Sequence, residues 1–192
     1  MRNYKKNLEL LTKNYVYSKE MEHDACGVGL IASTEGKKSR AIVEYGIEAL
    51  KAVWHRGAVD ADGKTGDGAG IHVEIPKDFF IEKIQVTGHD YDNSEICVGM
   101  IFLPRNDYSA QESCKTIVES ELTKNNFSIY GWRQVPVNSK VLGEKALQTM
   151  PEIIQVLFKP NDPNLLDKNL ERKIYEIRKR IENKAFDASL NN

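Results

Sequence analysis

Apolar residues recur along the chain in two periods, and the places where the period changes mark its elements. From Cys26 to Ala32 small and apolar residues run together, which predicts a short buried strand, and the polar Ser33 to Gly36 predict a turn after it. Val43, Ile47, Leu50 and Trp54 are then spaced four, three and four apart, one face of a helix with Ser39 as its N-cap. That helix is expected to end near His55 or Arg56, ahead of Gly57. Ile71, Val73 and Ile75 alternate with His72 and Glu74, predicting a half-buried strand that stops at Pro76.

Further along, Ile96 to Leu103 is a near-continuous apolar run bounded by Pro104, the pattern of a strand covered on both faces. Ser109 and Glu112 form a capping box ahead of Cys114, Ile117, Val118 and Leu122 on one helical face. Phe127 to Val137, with Pro136 at an edge or bend, and Glu152 to Phe158 predict two more strands. Leu166, Leu170, Ile174, Ile177 and Ile181 give the longest amphipathic helix, with charges on its other faces. Strands and helices come in mixed runs and not in strict alternation, so the fold class expected is a layered α+β architecture. No internal repeat or low-complexity segment interrupts it.

Composition narrows the function classes. The 192 residues suffice for one substantial core, and 41% hydrophobic with 29% charged residues is the balance of a globular domain. A net charge of −1 with both signs interspersed lacks the basic footprint of a nucleic-acid binder. No apolar run approaches the roughly 20 residues of a membrane span. The opening 25 residues mix basic and acidic side chains without an apolar core, which argues against a secretory signal and for a cytoplasmic location. Three cysteines, Cys26, Cys97 and Cys114, have no short metal-type spacing, so free thiols are expected and no metal site.

Three glycine-bearing stretches invite ligand readings. Gly63-Lys64-Thr65 matches the end of a phosphate-binding P-loop, but that motif needs a glycine where Ala58 stands, and strand before loop with helix after. Asp60-Ala61-Asp62-Gly63 lacks the register of a calcium loop, because Lys64 occupies the third ligand position, directly after which the pattern requires its glycine. Gly66, Gly68 and Gly70 do not fit the dinucleotide fingerprint. A phosphate-binding loop therefore stays only as a weaker alternative. Cys97 and Cys114, in a strand and on a helix face, read as core packing. Cys26 differs: if the bond after Ala25 were cut, its own α-amine, with a pKa of roughly 8, would be suited to take the thiol proton. Nucleophile and base would then belong to one residue.

Taken together, Ala25-Cys26-Gly27-Val28-Gly29, His55-Arg56-Gly57, Thr65-Gly66-Asp67-Gly68-Ala69-Gly70 and Gly131-Trp132-Arg133-Gln134-Val135-Pro136-Val137 resemble the start of the glutamate synthase large-chain family. The likeness runs from about Asp24 to Asn183. It implies a class II glutamine amidotransferase domain with an αββα N-terminal nucleophile hydrolase fold, incomplete here. Residues 1–25 would be the leader removed on maturation and 26–192 the amino-terminal part of the domain. It implies that Cys26 attacks the carboxamide carbon of glutamine to give a thioester and ammonia. Arg56 and Gly57 match the family's arginine-glycine pair beside the nucleophile, where a cation favours thiolate; His55 is read as structural.

The resemblance further implies a second site, outside this chain, where 2-oxoglutarate is aminated with FMN and an iron–sulfur cluster, so no cofactor is expected in these residues. The expected partners are glutamine, the remaining synthase domains and a small subunit, with neither nucleic acid nor membrane. In one respect the chain departs from the family: it contains no Asn-Gly dipeptide, the pair that forms the family's oxyanion hole, and the family's glutamine-binding arginine and aspartate lie further along. Loss of one oxyanion donor costs on the order of 10² to 10³ in rate. The chain is accordingly expected to be an amino-terminal fragment, feeble or inactive alone, and a non-catalytic interaction module is the rival reading.

Overall fold

A computed structural model of the chain describes residues 13, 27–53, 59–66 and 68–188. The chain divides into two units, one within 1–59 and 66–71 and the other within 60–65 and 72–192.

In the first unit, helix α1 spans Arg40–Ala52. Ser39 caps it as the sequence predicts, its hydroxyl accepting from the Ala41 amide at 3.2 Å, and Arg40 and Glu44 pair one turn apart. Val43, Ile47 and Leu50 are only half-buried, and no residue of α1 is fully covered. The turn at Ser33 to Gly36 is present, closed by the Gly36 amide on the Ser33 carbonyl. Two expected strands are not. No strand forms at the described residues 27–32 or at 71–75, the last four of which belong to the second unit, and Val28 and Leu30 are 95% and 89% exposed. Apolar runs mark what a strand can bury, but a strand forms only where a partner supplies the ladder.

The second unit is built on a three-stranded antiparallel sheet of β1 (Cys97–Leu103), β2 (Phe127–Gln134) and β3 (Glu152–Pro160), in the order β1-β3-β2. The pattern locates all three strands, with β3 running two residues past the predicted Phe158. Along β1, successive side chains alternate between faces. Cys97 joins Val156 and Phe158 of β3 on one side, under α3 (Tyr108–Lys124) and α5 (Asp167–Asp187); Val118 and Leu122 from α3 and Leu170 and Ile177 from α5 complete this core. The other side holds Leu157, Tyr130 and Ile96 against Phe80 and Ile84 of α2, Lys77–Val86.

Helix α2 was hidden behind Pro76, read as a strand end; the same proline is the N-cap residue of α2, with Asp78 in its first turn and Lys83 in its last. At α3 the predicted capping box is displaced: Asp107 caps the helix, its carboxylate accepting from the Ala110 amide at 2.9 Å, and Ser109 lies inside the first turn. The expectation that β1 is covered on both faces also fails for half its length, since Met100 and Phe102 are 50% and 63% exposed. Helix α2 reaches only the other end of that face.

Strand β2 carries a bulge between Ile129 and Gly131. The extra residue lets Ile129 and Trp132 both face the helix-side core although three positions separate them. Gly131 takes φ +145° there, and a Cβ on it would lie 2.9 Å from the Thr87 methyl, so the Gly-Trp-Arg motif needs its glycine for backbone shape and close approach. A short helix α4, Glu144–Gln148, precedes β3. Among the described residues no buried side-chain polar atom lacks a partner, and no helix is long and apolar enough to cross a membrane.

Candidate functional site

Cys26, Arg56 and Gly57, the residues proposed from sequence for catalysis, lie outside the described residues, as do His55 and Asp67. What flanks them is described. Gly27 to Ala32, directly after Cys26, is exposed, and a Cβ on Gly29 would meet nothing within 4 Å.

The turn before the glycine loop is built in detail. An antiparallel bridge joins Val59 and Gly66. Inside it the Asp60 amide donates to the Thr65 carbonyl at 2.7 Å and the Gly63 amide to the Asp60 carbonyl at 2.9 Å. The carboxylate of Asp62 accepts from the Lys64 amide (2.9 Å), the Thr65 amide (2.7 Å) and the Thr65 hydroxyl (2.5 Å). These bonds, led by that from the hydroxyl, hold the Asp62 carboxyl well below the usual carboxylate range. The amides of Lys64 and Thr65 that would cradle an anion in a phosphate loop are therefore already engaged by a resident carboxylate. The phosphate reading is unsupported by this geometry, in agreement with the failed motif frame.

The turn is clamped from one side by the start of α4. Lys145 Nζ contacts both carboxylate oxygens of Asp60, at 2.8 and 2.6 Å. Gly143 is buried against the turn so closely that a Cβ on it would fall 2.5 Å from the Thr65 backbone nitrogen. Sequence reading missed this clamp. The only signal was the Asp62-x-x-Thr65 spacing, because Gly143 and Lys145 come some 80 positions later and bear no motif.

The remaining thiols are placed away from nucleophilic work. Cys97 is buried in β1, and burial, reinforced by the Glu95 and Glu171 charges, pushes its thiol up to about 12. Cys114 on α3 is half-buried, which raises its thiol as well. Cys97 matches its reading as a core residue, whereas Cys114 is only half-buried, lines the groove beside β1 and joins neither core cluster. Trp132 likewise packs toward the helix-side core, its indole N–H donating to Glu119 at 2.7 Å. Arg133, on the opposite face, donates to the Gln155 side chain at 2.6 Å and lies over the Phe79 ring at 5.1 Å. A polar cluster that the sequence did not reveal joins Asp92 to Tyr130 at 3.1 Å and to Lys159. No group of three or more His, Cys, Asp or Glu among the described residues could hold a metal ion.

The described residues supply a mixed helix-and-sheet unit and a fixed turn ahead of the glycine loop, and sequence comparison sets the class. Residues 26–192 match the family Glutamine amidotransferases class-II, and the chain belongs to that family. Among individual proteins, it is 51% identical to the glutamate synthase [NADPH] large chain of Azospirillum brasilense over 98% of its own length and 12% of that protein's. It is 40% identical to the ferredoxin-dependent glutamate synthase 1 of Arabidopsis thaliana over 84% of its length and 10% of that protein's. With the glutamate synthase [NADH] of Saccharomyces cerevisiae it shares 36% identity over 94% of its length and 9% of that protein's. The chain thus spans about a tenth of the length of the curated relatives it matches.

Proposed function

We propose that this chain is the glutaminase portion of a glutamate synthase, with Cys26 as its nucleophile. The observation that carries the proposal is the coincidence of the family match, which starts at Cys26, with 51% identity to a glutamate synthase large chain over nearly the whole chain. Removal of residues 1–25 gives Cys26 a free α-amine. That amine takes the thiol proton, and the thiolate attacks the carboxamide carbon of glutamine. The tetrahedral intermediate collapses as the resulting ammonium protonates the departing nitrogen, releasing ammonia and leaving a γ-glutamyl thioester. Water, deprotonated by the same amine, cleaves the thioester to glutamate and restores the thiol. The Arg56 cation favours the ionised form of the sulfur, and Arg56 with Gly57 helps hold the loops of the site.

The domain is read as an αββα sandwich of which one sheet is β1-β3-β2. In support, helices α3 and α5 cover one face of that sheet, and on the other, beyond the end where α2 packs, Met100 and Phe102 stand exposed. The chain has no Asn-Gly dipeptide, so the oxyanion donors are assigned to polypeptide outside these residues. The site that aminates 2-oxoglutarate, with its FMN and iron–sulfur cluster, is assigned there too, and so is any small-subunit contact. The missing dipeptide also favours the second reading, in which these residues alone serve as a non-catalytic interaction module.

Intact mass separates the two readings first: a chain beginning at Cys26 supports the enzyme, and an uncut chain the module. A glutamine-mimicking diazoketone then tests the thiol. A covalent adduct mapped to Cys26, absent in Cys26→Ala, is expected; no adduct at saturating reagent in a protein that carries the whole domain refutes the proposal.

A further inference from the structure

The two edges of the sheet are unlike. Strand β2, at one edge, is interrupted by a bulge and carries Arg133 and Gln134, devices that discourage pairing with another strand. Strand β1, at the other, is Cys-Val-Gly-Met-Ile-Phe-Leu, seven residues with no charge, no proline and no bulge against β3. Met100 and Phe102 are exposed on it. Beside it runs a groove of about 1300 Å³, floored by β1 and walled by Ile117 of α3 and by Ile174, Ile181 and Ala185 of α5. Arg105, Asp107, Arg178 and Glu182 also line the groove, but none of them lies on β1 itself.

The connections say what belongs there. Strands β1 and β2 are parallel to one another, since each is antiparallel to β3 between them, and α3 carries the chain from one over β3 to the other. Helix α5 leaves β3 on the same face, sharing a core cluster with α3. Crossovers between parallel strands keep one hand in about 98% of cases. Because β3 points opposite to β1, a crossover of the same hand over the same face steps sideways in the opposite sense, toward β1 and beyond it. A strand reached through α5 would run parallel to β3, hence antiparallel to β1, along the open edge. This is the split β-α-β arrangement closed into four strands.

We infer that the β1 edge and its groove receive an extended polypeptide segment, apolar at alternate positions, which pairs antiparallel with β1; in a polypeptide of the relatives' length this is the stretch that follows α5. The inference stands on sheet topology and does not depend on the catalytic reading. Its test is hydrogen exchange on the 192-residue chain, alone and extended by the 30 residues that follow the matched region in the Azospirillum brasilense relative. A second extension carries two prolines, which cannot pair along a strand.

The native extension is expected to slow exchange across Cys97–Leu103 by about tenfold or more, with Phe127–Gln134 unchanged and the proline-bearing extension without effect. Unchanged exchange in β1, protection of β2 instead, or equal protection by the proline-bearing tail would each overturn it. So would concentration-dependent protection of β1 in the unextended chain, which would make a second copy the occupant.

Discussion

The burial of Cys97 makes a quantitative forecast about which thiol of this chain reacts. An unperturbed thiol with a pKa of 9.0 is roughly 3% thiolate at pH 7.5. With its pKa pushed up to about 12, Cys97 is ionised at that pH only to about 3 parts in 10⁵, so its thiolate population falls about 1,000-fold below that of an ordinary cysteine. Burial at 4% exposure hinders the reagent further. Cys114 shifts the same way from its half-buried position and reacts below the ordinary rate. Cys26, in the proposed role beside an α-amine and Arg56, reacts above it. The assay is timed alkylation with iodoacetamide at pH 7.5 followed by peptide mapping, with the same reaction in 8 M urea to equalise the three sites. The expected order is Cys26, then Cys114, then Cys97, collapsing to similar rates in urea. Labelling of Cys97 in the folded chain within about tenfold of its rate in urea would refute its placement in the core. Labelling of Cys26 no faster than that of Cys97 would refute its assignment as nucleophile.

Other outcomes follow from the same structure. Since the folded chain holds the Cys97 proton above the pH where the unfolded thiol loses it, stability present below pH 9.0 is lost as pH rises toward about 12; urea unfolding of the chain against Cys97→Ala should diverge by up to about 1.4 kcal/mol per pH unit in that window. Ile177→Ala, at a side chain 2% exposed between α5 and the sheet, should lower the free energy of unfolding by about 2 to 5 kcal/mol, read from the urea midpoint at unchanged slope. Gly143→Ala, in a backbone conformation that alanine adopts freely, isolates the steric clash with Thr65; a loss of about 1 to 3 kcal/mol with faster proteolysis at residues 60–65 is expected, and an unchanged cleavage rate would deny the clamp.

How far the sequence disclosed this arrangement depends on the range over which each signal acts. The helices read from periodicity, α1, α3 and α5, were visible because a helix closes its hydrogen bonds within four residues, so local spacing carries the information. Helix α2 was missed because Pro76 ends a strand pattern as readily as it opens a helix. The strands split the same way. β1, β2 and β3 formed where three apolar segments could pair with one another, whereas Gly27 to Ala32 and Ile71 to Ile75 carry patterns of similar quality and form no strand. Period gives the face that a strand would bury, and only the rest of the sheet decides whether the strand exists.

The same reasoning explains the clamp around the glycine loop. Asp62 and Thr65 could be paired from their spacing, but the lysine and the glycine that lock their turn enter from positions 145 and 143. A loop whose shape rests on contacts so distant in sequence cannot be read as a ligand cradle from its glycines alone. Its amides have to be accounted for one by one, and here the Asp62 carboxylate has taken the two that mattered. That leaves the turn at residues 60–65 held in one shape by its own bonds and by the start of α4. It also explains why a resemblance spanning several motifs pointed to a function that no single glycine pattern in this chain could support.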